Sequence, residues 1–99
     1  MSWTITILEP RTAAEQRTQD AVNTAEGIAL RLDLMRGYLN REKYGLARAT
    51  LADVRRMLPS LNESELLKSD RGADLARKIL RLPHLARRLE VEPAMSLEW

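Results

Sequence analysis

The residues of this chain best placed to do chemistry are two rows of arginine. Arg41, Arg48 and Arg55 recur at intervals of seven, and Arg77, Arg81 and Arg88 at intervals of four and seven. A helix returns to nearly the same side at such intervals, so each row runs along one helical face. Guanidinium groups aligned in this way can follow a phosphate backbone, which makes these six the candidate nucleic-acid contacts. The competing reading is a solvated face, where arginine serves solubility and ion pairing with acids of the N-terminal third. Aromatic residues interleaved with the cations, as in a single-strand binder, are missing, because Tyr38 and Tyr44 fall on apolar faces. Any nucleic-acid contact would therefore be to backbone, reading shape rather than base sequence.

Other chemistries find few residues to work with. His84 is the only histidine, next to Pro83 at an expected helix start, with no cysteine or second histidine to join it as a ligand or base. It reads as an exposed structural residue. Asp70 and Asp74 stand four apart and share a helix side, yet no calcium-loop pattern surrounds them, and capping a helix start explains them better. Glu63 and Glu65 read the same way. Gly27, Gly37, Gly45 and Gly72 are scattered, so no glycine-rich loop cradles a phosphate. No nucleophile–base set can be named. The expectation is a protein that is not an enzyme, with no cofactor and no metal.

The elements that position these residues follow from length and patterning. Ninety-nine residues make one domain. The chain has neither cysteine nor phenylalanine, so disulfides are excluded and the core must be aliphatic. No apolar run approaches the roughly 20 residues of a membrane span. Met1 to Leu8 lacks the basic start of a secretion signal, and the expected setting is soluble and cytoplasmic. The formal charge of +2 is unevenly spread. Residues 1–30 carry a net −2, residues 31–56 a net +4, and residues 76–89 hold five cations and no acid.

Ala14, Thr18, Ala21, Ala25, Ile28, Leu32, Met35 and Leu39 alternate spacings of four and three, which predicts one long amphipathic helix. Thr12 with Glu15 has capping-box spacing, so that helix starts near Ala13. It runs to about Leu39, with Gly27 as a point for a kink. Tyr44, Ala47, Leu51, Val54 and Leu58 repeat the pattern in a second helix, over roughly 41–58 and stopped by Pro59. Ser60 with Glu63, or Asn62 with Glu65, offers the next cap, for a short helix over 63–68. A further helix turns Leu75, Ala76, Ile79 and Leu80 inward. Pro83 opens a last short helix on Leu85, Ala86 and Leu89. Residues 1–11 read as an extended arm, in which Trp3, Ile5 and Ile7 alternate with Thr4, Thr6 and Leu8, and 94–99 as a tail. The expected fold is all-α: a long antiparallel helical hairpin plus two or three short C-terminal helices, in a small bundle.

The first helix carries a second apolar line. Leu30, Leu34 and Tyr38 lie nearly opposite Ile28, Leu32, Met35 and Leu39 at about 100° per residue. A helix apolar on two faces is buried on two faces. One face is covered by the second helix. The other requires the C-terminal helices or a second subunit, so these three residues are the candidate oligomer interface of a homodimer.

Two families share parts of this pattern. Residues 28–59 resemble a single tetratricopeptide-type hairpin in the spacing of Leu34, Tyr38, Tyr44, Ala47, Leu51 and Pro59. They depart from it at Arg31, Met35 and Val54, and no second copy follows at the repeat's period, where such stacks need about three units. The resemblance implies a packed helical hairpin and nothing about function. The general plan is also similar to that of the small helical silencing suppressors of insect nodaviruses. Those are short basic chains of two long helices and a short third, which dimerise to bind duplex RNA. The segment 60–82 is extra by that comparison. The leading expectation is a non-catalytic interaction or assembly module acting as a homo-oligomer. The alternative is a dimer that binds duplex RNA or DNA through its basic faces.

Overall fold

The computed structural model describes residues 12–96, and among these every regular element is helical. Five α-helices follow in order: α1 (Ala13–Asn40), α2 (Tyr44–Met57), α3 (Glu63–Leu66), α4 (Asp70–Ile79) and α5 (Leu82–Ser96). A single 3₁₀ turn, Leu58–Ser60, closes α2. The expected arm over 1–11 and the last residues of the tail lie outside the described residues.

Local sequence sets most of the helix starts. The Thr12 hydroxyl accepts the Glu15 amide at 3.1 Å, which starts α1 where the capping spacing places it. Asn62, not Ser60, caps α3 by accepting the Glu65 amide. Ser69 accepts the Gly72 amide at 2.9 Å and starts α4. Gly72 is required for a second reason: a Cβ there would stand 1.8 Å from the Leu66 carbonyl oxygen. That backbone-to-backbone approach is what lets α3 turn directly into α4.

The hairpin forms as expected, and α1 crosses Gly27 without a break. Its buried line is Ala21, Ala25, Ile28, Leu32, Met35 and Leu39, joined by Val22 and Ala29. The C-terminal half of α1 packs with Ala47, Leu51 and Val54 of α2 and with Leu85 and Leu89 of α5. The N-terminal half packs instead with Leu66 of α3 and Leu75 of α4. So α1 is a spine with two different partners along its length.

Four expectations are corrected. The second helix begins at Tyr44, not Arg41, because Arg41–Lys43 form the turn that ends α1. There the Lys43 amide donates to the Tyr38 carbonyl at 2.8 Å and the Glu42 amide to the Leu39 carbonyl at 3.1 Å. This pair of bonds closes a helix end when the residue between adopts a left-handed conformation, and Glu42 does so at φ 58°. Leu80 is not inward: α4 stops at Ile79, the helical period stops with it, and Leu80 is 77% exposed. Pro93 does not end the last helix, which continues to Ser96. A proline there removes one helical hydrogen bond, but its ring is buried, and burial against the body of the molecule holds the last turn on. The tail assigned to 94–99 accordingly begins beyond Ser96. Lastly, the helix does not break at Gly27, where the Met57 methyl would lie 2.9 Å from a Cβ. The glycine makes room for the end of α2.

Candidate functional site

Two surfaces carry the residues singled out by spacing. The first is the outer face of α1. Leu30 is 60% exposed and Leu34 46% exposed, while Tyr38 is half-buried against the edge of the core. The C-terminal helices pack on other sides of α1 and leave Leu30 and Leu34 uncovered. On α2, Leu46 is 48% exposed. By helical geometry Leu46 falls on the same side of α2 as Asp53 and Met57. Those two residues share a groove with Arg31 of α1, and Arg31 lies on the same side of its helix as Leu34 and Tyr38. Leu34, Tyr38 and Leu46 thus belong to one face of the hairpin, opposite α5.

The second surface is basic, and the structure divides the six arginines. Arg48 and Arg55 lie on α2, exposed and one above the other. Arg41 is not on that helix but in the turn before it. The row of Arg77, Arg81 and Arg88 is broken as well: Arg77 ends α4, Arg81 sits in the connection, and Arg88 belongs to α5. Arg77 is paired with Asp74 at 3.1 Å. Arg88 is half-buried, pairs with Glu92, and donates to the Asn40 side chain at 3.0 Å. The hydrogen bond to Glu92 raises the affinity of Arg88 for its proton, against partial burial. Arg88 is therefore a clasp that ties α5 to the end of α1. Arg41, Arg48, Arg55 and Arg81 make no ion pair among the described residues.

The most connected charge is one assigned only to capping. The Glu65 carboxylate accepts from Lys68 Nζ at 3.0 Å and from the Thr18 hydroxyl at 3.1 Å, with Arg17 at 3.8 Å. The Lys68 bond leads the causes that hold its pKa below the ordinary value. Its link to Thr18 spans 47 positions of sequence, and no local pattern announces it. The Arg71–Glu26 pair, at 3.4 Å, reinforces the same junction between α1 and the short helices.

No buried side-chain polar atom among the described residues lacks a partner. No group of three or more potential metal ligands occurs among them. His84, in the first turn of α5, is exposed. No described helix is long and apolar enough to cross a membrane. No protein-family model, curated protein or solved structure matches this chain.

Proposed function

We propose that this protein is a non-catalytic assembly module that acts as a homodimer through the outer face of its helical hairpin. One observation carries the reading: α1 is apolar on two sides, and the described helices cover only one, leaving Leu30 and Leu34 exposed. Burying a leucine side chain is worth about 1.5–3 kcal/mol, so Leu30 and Leu34 give a second copy a reason to bind. A two-fold interface brings the same patch from both copies, and an antiparallel helix pair can present Leu30 of one against Tyr38 of the other. Sedimentation or light scattering at high micromolar concentration should find a dimer. Leu30→Glu with Leu34→Glu should yield a monomer that keeps its helical circular dichroism. A wild-type chain that stays monomeric ends this reading.

A second reading is favoured by the pair on α2. Arg48 and Arg55 stand about 10 Å apart along the helix, exposed and without an acid partner among the described residues. That arrangement suits contacts to a duplex backbone. It requires that the chain shift a generic RNA or DNA duplex at about 50 mM salt and lose it as salt rises.

A further inference from the structure

A cleft of about 580 Å³ lies between α1 and the connection that joins α4 to α5. Three elements contribute cations to it: Arg36 from α1, Lys78 from the last turn of α4, and Arg81 from the connection. His84 of α5 stands on the same rim. Arg36, Lys78, Arg81 and His84 are all exposed, and the three permanent cations make no ion pair among the described residues. Arg88 also borders the cleft, but Glu92 neutralises it. Among the described residues Asp33 is the only acid in the lining. The floor is apolar, with Leu32 and Leu85 beneath the charged rim.

Like charges gathered in one concavity repel, and the repulsion is stronger beside a low-dielectric wall than in open water. An anion in the cleft relieves it. The donors specify which anion. Two guanidinium groups and an ammonium match the several oxygens of a phosphate, arginine by paired hydrogen bonds and lysine as a point charge. The volume lies within the range of small-molecule pockets, larger than phosphate alone needs, and the apolar floor suits a flat organic group beside it. From this geometry we infer that the cleft binds the phosphate of a nucleotide, held by Arg36, Lys78 and Arg81, with the base or sugar over Leu32 and Leu85. The nucleotide is either free or part of a nucleic-acid strand. The site is complete within one chain. Arg36 is turned about 200° from Leu34 on α1, so the cleft stays open whether or not the outer face pairs with a second copy.

The test uses the full chain at about 50 mM salt with two probes, ATP by calorimetry and a short RNA duplex by fluorescence anisotropy. Each of Arg36→Glu and Lys78→Glu should weaken binding at least about tenfold, the scale of losing one charge-assisted contact. Asp33→Asn should tighten it about threefold by removing the one repulsive group. A gain of affinity cannot come from a variant that fails to fold. Response of the ATP signal supports a free-nucleotide site, and response of the duplex signal alone supports a backbone site. The inference is overturned if neither probe binds below about 1 mM. It is equally overturned if binding is unchanged by the Arg36 and Lys78 variants, including the case where only Arg48→Glu with Arg55→Glu abolishes it. The sedimentation experiment on the outer face decides the assembly reading separately.

Discussion

The two halves of α1 are held in place by different physics. From Ile28 to Leu39 the helix buries large aliphatic side chains against α2 and α5. From Ala21 to Ala29 it buries mostly alanine, with Val22, against one leucine each from α3 and α4. Alanine lets backbones approach closely but removes little apolar area from water. The alanine half compensates with charge: Glu65 receives Thr18 and Lys68, and Glu26 meets Arg71. In the other half, Arg88 ties α5 to Asn40 at the end of α1. The lesson is that one regular heptad line can serve two kinds of junction, depending on the size of the residues that occupy it. Only the leucine-rich half also has an apolar back, and only there does the proposed dimer interface arise.

That contrast can be broken first in the leucine-rich half. Leu51→Ala should cost about 2–5 kcal/mol in urea unfolding at fixed protein concentration, as for truncation of a buried leucine. A loss below about 1 kcal/mol would mean that α2 does not depend on this contact. The alanine half should be sensitive in the opposite sense. Ala25 is fully buried at the junction, so Ala25→Leu should cost about 1–3 kcal/mol by overpacking. Tolerance of the larger residue would show that close approach is not what defines this half.

The smallest expected effect concerns charge. Glu65 has a folded-state pKa below its unfolded value, so its ionised form stabilises the fold. That contribution is present above the ordinary carboxylate range and is lost as pH falls through the folded value. Glu65→Gln should therefore be less stable than wild type near pH 7, and the gap should narrow in acid. Urea midpoints compared across that range check it. A gap that does not change with pH would show that the carboxylate charge plays no part in fastening α3 to α1.

The heptad face and the Thr12 cap were legible in the sequence because each depends on residues within four positions of one another. The two-faced character of α1 was legible for the same reason, as Leu30, Leu34 and Tyr38 follow a single helical period. The start of α2 was not. A left-handed residue at a helix end usually announces itself as glycine, and here Glu42 fills that position. Leu80 misled because periodicity extends a face past the point where the helix stops.

The arginine rows show the same limit. Regular spacing is a statement about a helix, and Arg41 and Arg81 lie in connections. Two of the six are neutralised by acids three or four positions away, Arg77 by Asp74 and Arg88 by Glu92, but the contacts that fasten the elements to one another are distant: Arg88 finds Asn40 across 48 positions, and Glu65 finds Thr18 across 47. The cleft that gathers Arg36, Lys78 and Arg81 likewise joins residues from α1 and from the far side of α4. Helix formation is governed by near neighbours, so the sequence by itself determined the helices and their apolar faces. Packing brings distant segments together through contacts that have no period. For that reason only the tertiary structure decided which face stays open and where the positive charge collects.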